Sequence, residues 1–170
     1  MTPTIEIHVD DLSGETTRAL IASHLSGMHD NSPPESVHAL DIDGLRHPSI
    51  TFWSAWIDAR QQVGGLGRSP IEQWELAGIG ALKRLDAARG EIKSMRVDDR
   101  FRGAGVGRAI LRHIIHEARE RGFSSLWLET GSTADFAPAR RLYESEGFTE
   151  CEPFDAYSLD PYSVFLTREI

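Results

Sequence analysis

Cysteine is almost absent from this chain. Cys151 is the only one, so no disulfide can close within it and no multi-cysteine zinc site can form. Long apolar runs are missing too: no window approaches the roughly 18 consecutive apolar residues of a membrane span. The start, Met-Thr-Pro-Thr-Ile-Glu-Ile-His, lacks the basic segment and apolar stretch of a secretory leader. The expectation is a cytosolic protein with no membrane partner. Positive charge is in deficit, with 18 Lys and Arg against 26 Asp and Glu and a net charge of −8. Non-specific nucleic-acid binding rests on cations that neutralise phosphates, so that class is disfavoured. A cationic acceptor such as an amine is compatible with the balance.

What is present is the composition of a folded domain. Of 170 residues, 40% are hydrophobic and 26% charged, and four Trp are available to fill a core. These values lie outside the low-apolar, high-charge regime of disorder. No internal repeat and no dividing linker is visible, so residues 1–170 read as a single domain.

Ile5 to Val9 alternates apolar and polar residues, the period of a half-buried strand. Ser13 and Thr16 are candidate caps for a helix carrying Leu20, Ile21, His24, Leu25 and Met28, which Asn31-Ser32-Pro33-Pro34 stops. A short helix is expected from about Glu35 to Leu45. Ile50 to Ile57 is β-branched and aromatic and reads as a strand, with Trp53 and Trp56 on opposite faces. Arg60 to Pro70 is a glycine-rich loop. Trp74 to Leu82 and Glu91 to Val97 complete an antiparallel meander, Gly78 and Gly80 marking a bulge or a close backbone approach. A strong helix then runs from about Gly105 to Arg121, closed by Gly122. Ser125 to Glu129 is a strand, Asp135 to Glu146 a helix closed by Gly147, and the stretches from Phe148 and from Ser163 to Thr167 are the last two strands. The fold class is a mixed α/β sheet.

The informative unit is Arg102-Gly103-Ala104-Gly105-Val106-Gly107, between a strand and the first turn of a helix. Unpaired N–H groups and the positive dipole end of a helix make an anion site. Glycines let a phosphate approach the main chain, and Arg100, Arg102 and Arg108 add charge around it. A P-loop would need Gly-x-x-x-x-Gly-Lys-Ser/Thr, which is missing, and a dinucleotide fingerprint would need Gly-x-Gly-x-x-Gly. The pattern Arg/Gln-x-x-Gly-x-Gly/Ala is met by Arg102, Gly105 and Gly107. A turn required only for strand-to-helix packing is the plain alternative.

The stretch from Gly90 to Phe148 resembles the GNAT superfamily of N-acetyltransferases. Glu91-Ile-Lys-Ser-Met-Arg-Val97 is similar to its fourth strand, and Arg100-Phe-Arg-Gly-Ala-Gly-Val-Gly-Arg-Ala-Ile-Leu111 to its pyrophosphate loop and following helix. Ala139-Arg-Arg-Leu-Tyr-Glu-Ser-Glu-Gly-Phe148 matches its late helix, which ends in Leu-Tyr-x-x-x-Gly-Phe. The resemblance implies a mostly antiparallel sheet splayed between its fourth and fifth strands and flanked by helices. It implies acetyl-CoA as co-substrate, no metal, and direct transfer of the acetyl group to the primary amine of a small acceptor. The implied cofactor-binding residues are Met95, Arg96, Val97, Arg102, Gly103, Ala104, Gly105, Val106, Gly107 and Arg108, with main-chain groups of Met95 and Val97 on the pantetheine. Tyr143 is the implied general acid toward the departing thiolate, a phenol that stays protonated near neutrality. Glu91 and Glu129 are the candidates for the base. Where the family often places Asn, six residues before the Leu of Leu-Tyr, this chain has Phe136, with Pro138 following.

Met28 to Pro48 resembles a stretch in poorly characterised bacterial members and is expected over the acceptor cleft. The duties of His24, His29 and His38 around it stay open, and a homodimer is not excluded. His113 and His116 lack the His-Glu-x-x-His metal pattern, and His116 lies away from the apolar face of its helix. Nothing marks Cys151 as an activated nucleophile. A catalytically silent acyl-CoA-binding or sensing module is the rival function, and a nucleotide-binding loop a second.

Overall fold

The computed structural model describes residues 2–58, 60 and 74–170. Where apolar and polar residues alternate the chain forms strands: β1 (Ile5–Val9), β2 (Ile50–Asp58), β3 (Trp74–Arg84), β4 (Arg89–Val97), β5 (Ser125–Gly131), β6 (Thr149–Cys151) and β7 (Ser163–Glu169). The helices are α1 (Glu15–Asn31), α2 (Ile42–Leu45), α3 (Val106–Glu120) and α4 (Ala137–Ser145). The strands form one seven-stranded sheet in the order β1-β2-β3-β4-β5-β7-β6. Every neighbouring pair is antiparallel except β4 with β5. This is the mixed α/β sheet that the sequence leads one to expect.

Each face of the sheet buries a different set of side chains. On one side Trp53, Ala55, Ile57 and Ile92 pack with Ile110, Leu111, Ile114 and Ala118 of α3, and with Tyr143 of α4. On the other, Phe52, Ile79 and Ala81 pack with Leu20 and Ile21 of α1 and Leu45 of α2. Trp53 and Trp56 do fall on opposite faces, Trp56 against the α1 side. Of the four Trp only Trp53 is fully buried, so the aliphatic side chains of α3 fill the core more than the indoles do. Each such side chain removed from water contributes about 1.5–3 kcal/mol. Close approach explains Gly80: a Cβ there would stand 2.6 Å from Ile110 Cγ2.

Two local readings need correction. Helix α1 begins at Glu15 after Gly14, and neither Ser13 nor Thr16 caps it: Thr16 already lies inside the first turn, and Ser13 Oγ donates to Asp11. The helix expected over Glu35 to Leu45 is a 3-10 turn at Pro34–Ser36, an extended stretch, and only then α2. Val37 takes up extended geometry (φ −90°, ψ 115°), as its branched side chain favours, and Asp41 restarts the helix by accepting from the Gly44 N–H. The loop expected over Arg60 to Pro70 lies outside the described residues except for Arg60. Among the described residues no helix is long and apolar enough to cross a membrane.

Candidate active site

The site arises where the sheet comes apart. β4 and β5 pair only from Arg89 opposite Ser125 to Ile92 opposite Leu128. Beyond that β5 stays paired to β7 alone, through Gly131 opposite Ser163. β4 is deflected by a bulge: its register against β3 jumps between Ile79 and Ala81, leaving Ser94 and Met95 across from Gly80. Ser94 has φ +55°, a left-handed conformation that costs a non-glycine residue about 1–2 kcal/mol. Strain of this kind persists only where the surrounding structure imposes it, and it gathers at functional sites. Past the bulge, β4 has no strand partner on its β5 side, so its main-chain groups there are open to a ligand.

A cavity of about 90 Å³ occupies the opening. Its β4 wall is Glu91 to Met95, and its far wall is Glu129 and Thr130 of β5 with Phe136, Ala139 and Tyr143 from the α4 side. His24 and Met28 of α1, with His38 and Ala39, close it from the other face of the sheet. The segment expected over the cleft therefore does reach it. His29 is exposed, while His24 and His38 face inward.

The two candidate bases stand in different surroundings. Glu91 is 1% exposed, and its Oε1 accepts from Lys93 Nζ at 3.1 Å and from the Tyr157 hydroxyl at 2.5 Å. Lys93 also donates to the Tyr157 oxygen at 2.9 Å, closing a three-membered network. Glu129 accepts one hydrogen bond, from Ser163 Oγ at 2.8 Å. Burial pushes its carboxyl above the usual carboxylate range, opposed by that hydrogen bond and by the nearby His38 and Lys93. On the same wall as Glu129, Tyr143 is 6% exposed, and burial followed by the proximity of Glu129 drives its phenol well above its ordinary value. It remains a proton donor throughout the neutral range. His24 is held down to about 4 by burial, with a smaller push from Arg96.

At the open end of β4, Val97 leads straight into the glycine loop. Phe101, 4% exposed, anchors its 3-10 turn, and the Asp98 carboxylate accepts from the Arg100 N–H. Gly103 and Gly105 have φ of +78° and +86°, with nothing within 4 Å of where a Cβ would stand. Gly105 is also the N-cap of α3, which no side chain caps, so the first N–H groups of the helix face open space. Val106 is buried, and Gly107 sits close to Leu142 and Val97, which sets the loop between β4 and α4. Ala104 packs on the core. Of the arginines, Arg102 is 65% exposed and pairs with Asp99 at 2.6 Å, Arg100 pairs with Asp98 and Glu75, and the Arg108 guanidinium lies against Glu146 on the α4 side. The Arg108 contribution to an anion at the loop is thus its main-chain N–H.

Phe136, the departure from the resemblance, lies over the end of β5: a Cβ on Gly131 would meet three of its ring atoms at 2.0–2.5 Å. Arg140 fastens the turn beneath it by donating to the carbonyls of Gly131 and Thr133. Sequence reasoning missed Lys93, Ser94 and Tyr157. Tyr157 is 66 residues from Glu91, and no local pattern reports such a contact. The discounted groups stay discounted. His116 is exposed, His113 packs edge-on to Trp53, and burial raises the Cys151 thiol, the opposite of activation. Among the described residues no cluster of His, Cys, Asp and Glu could hold a metal ion.

A profile described as the acetyltransferase (GNAT) family matches residues 18–148. An uncharacterised N-acetyltransferase of Bacillus subtilis, YsnE, is 50% identical over 98% of this chain and 100% of its own length. A Klebsiella pneumoniae protein assigned as an acyl-CoA N-acyltransferase has a similar structure, with a TM-score of 0.73 at 26% identity over 98% of this chain and 97% of its own. A GNAT family acetyltransferase of Elizabethkingia anophelis, solved with acetyl-CoA bound, shares the fold at a TM-score of 0.62 and 18% identity, covering 98% of each chain. The splayed strands, the glycine loop at the start of α3, and these similarities lead to one conclusion: the chain belongs to the GNAT acetyltransferase family.

Proposed function

We propose that this chain transfers the acetyl group of acetyl-CoA to a primary amine of a small acceptor by direct attack. The observation that carries the reading is the opening between β4 and β5: its cavity has Glu129 and Tyr143 on one wall, and beyond it β4 runs on into the glycine loop and the start of α3. The residues fit the co-substrate. The N–H groups of Gly103 and of Gly105 to Arg108, with Arg102, suit a pyrophosphate, while the Ala104 N–H is held by the Phe101 carbonyl. The unpartnered edge of β4 at Met95 to Val97 suits an extended arm carrying amide groups. Acetyl-CoA supplies a thioester carbon open to attack by nitrogen.

The side chains then divide the work. An alkylammonium has no lone pair to attack with, so a base must take its proton. Glu129 suits this better than Glu91, because Glu91 Oε1 is already occupied by Lys93 and Tyr157. A carboxyl raised above its ordinary value is also better matched to an amine proton. Main-chain N–H groups at the Ser94–Met95 bulge are fixed donors for the oxygen that becomes negative as nitrogen attacks. Tyr143 gives its proton to the sulfur as the carbon–sulfur bond breaks, and the second proton lost by the acylated nitrogen restores the phenol, leaving an N-acetylated product, coenzyme A with a free thiol, and the first proton on the base. Holding both reactants in one cleft makes the step effectively unimolecular.

Thermal unfolding with acetyl-CoA, ATP or NAD tests the binding half. A ligand at ~100 times its dissociation constant stabilises by about 2.7 kcal/mol, so a shift with acetyl-CoA alone is expected. Thiol release dependent on added amine tests the chemistry. Glu129→Gln should lower kcat by roughly 10²–10⁴-fold while keeping the acetyl-CoA shift, and Tyr143→Phe should slow release as well. An acetyl-CoA shift with full activity in both variants would remove these residues from the chemistry. A shift with no turnover of any amine would favour a silent binding module.

A further inference from the structure

The proton that Glu129 takes from the amine must leave again before the next turnover. Glu129 is half-buried and opens onto the cavity, the space that the reactants occupy in the reading above. Among the described residues, the other titratable side chains lining that cavity are His24, His38, Glu91, Lys93 and Tyr143. Four of them are unsuited to receive a proton near neutrality. Lys93 and Glu91 are bound to each other and to Tyr157. Tyr143 holds its own proton, because burial drives its phenol above the ordinary range. Burial, with a smaller push from Arg96, holds His24 down to about 4. That leaves His38, and an imidazole is the side chain best matched to passing a proton at neutral pH.

His38 is half-buried and lines the same cavity as Glu129. It also acts on it electrostatically: burial pushes the Glu129 carboxyl up, and the Ser163 hydroxyl and then His38 draw it back. The His38 ring meets the Tyr157 ring edge-on, with 5.0 Å between centroids and 88° between planes. The Tyr157 hydroxyl is in turn fixed by Glu91 and Lys93, so the imidazole rests against a braced aromatic. Asp160, which does not line the cavity, lies within electrostatic reach of His38 as well. It accepts from the Ser36 hydroxyl and the Tyr162 N–H, tying the segment that carries His38 to the loop between β6 and β7. His38 thus connects a carboxyl inside the cavity with one outside it. An imidazole suits such a place, since it can accept a proton at one ring nitrogen and release one from the other.

Resting on the acetyl-transfer reading above, we infer that His38 carries the amine proton away from Glu129. The Glu129 carboxyl gives the proton to one nitrogen of the neutral imidazole, directly or through one water. The ring releases a proton to buffer from its other nitrogen, and Glu129 is left as the carboxylate that the next ammonium needs. One proton leaves per acetyl group transferred, and no further reactant takes part.

The test separates one turnover from many, using the fastest acceptor from a panel of primary alkylamines and amino acids. Steady-state thiol release by His38→Gln in dilute buffer should fall by on the order of 10²-fold. With enzyme in excess over acetyl-CoA, where Glu129 is needed only once, the loss should be much smaller. Added imidazole should restore most of the steady-state rate. An unchanged kcat, equal losses in the two regimes, or no recovery with imidazole would each overturn the inference and leave acetyl transfer standing. Full activity of Glu129→Gln would remove the base itself, and the role of His38 with it. Absence of the acetyl-CoA thermal shift in the parent protein would instead sink the acetyl-transfer reading. Carboxyl-carbon NMR needs no acceptor and decides if no amine turns over. Replacing His38 by Gln removes a positive neighbour and should raise the Glu129 midpoint. A midpoint that stays in place would refute the contact between the two groups.

Discussion

Acidification from pH 7.5 to 4.5 should weaken the fold through His24 in a way that can be isolated. In the unfolded chain this imidazole titrates near its ordinary 6.5, whereas in the folded protein burial and Arg96 hold it down to about 4. Its folded pKa is the lower one, so between those values the unfolded state binds a proton that the folded state refuses, and stability falls as the pH falls. Above pH 6.5 the contribution is flat. The loss amounts to about 1.4 kcal/mol at pH 5.5 and about 2.5 kcal/mol at pH 4.5. Carboxylates also titrate in the lower part of this range, so the measurement must be a difference. Urea unfolding of the parent and of His24→Gln at pH 7.5, 6.5, 5.5 and 4.5 supplies it, since every other group cancels to first order. The variant should lose stability less steeply, and the gap between the two should narrow or reverse by about 2.5 kcal/mol across the series. Parallel curves would show that His24 is not sequestered between α1 and β4.

Two glycine substitutions probe the cleft from opposite ends. Gly105→Ala places a Cβ in open space but at φ +86°, so it isolates backbone strain: a loss of about 1–2 kcal/mol in chemical denaturation is expected, together with weaker acetyl-CoA binding. An unchanged midpoint would mean that the loop does not need the left-handed turn. Gly131→Ala would drive a methyl into the Phe136 ring, whose atoms stand at 2.0–2.5 Å, and should cost about 1–3 kcal/mol by displacing it. Wild-type stability and an unchanged KM for acetyl-CoA would show that the ring is not held over the end of β5.

The parts of this molecule that repeat at a regular period could be read from its sequence. Ile110, Leu111, Ile114 and Ala118 fix the buried face of α3 whatever they pack against, and Ile50 to Asp58 is a strand on composition alone. The glycine loop was legible for a different reason: alternate glycines before a helix have few structural uses besides a close approach to the main chain. The segment from Glu35 to Leu45 was misread because its turn, extended stretch and short helix are set by Val37, Asp41 and the docking of Leu45 under the sheet, not by any period. The bulged stretch of β4 and its long-range contacts were nearly invisible. Nothing in Lys-Ser-Met-Arg says that Ser94 is left-handed, because the bulge is a property of the pairing with Gly80. The Tyr157 contact with Glu91 closes across 66 residues.

The features that resist local reading are gathered on β4 for a physical reason. A strand inside a sheet has its main-chain groups paired on both sides, and each side chain has one face to serve. Once β4 leaves β5 after Ile92, one of its two ladders ends, and the bulge at Ser94 lets the chain diverge without breaking its pairing with β3. Unpaired main-chain groups, a strained residue and two buried side-chain atoms without partners among the described residues then accumulate within a few residues of β4, and the buried His24 of α1 lines the same cavity as Ser94. The strained residue and the unpaired buried atoms each cost stability, against a total of about 5–15 kcal/mol for a protein of this kind. Such a concentration persists where a bound molecule satisfies the same groups, which is why the departures from local rules, more than the regular elements, mark the candidate site.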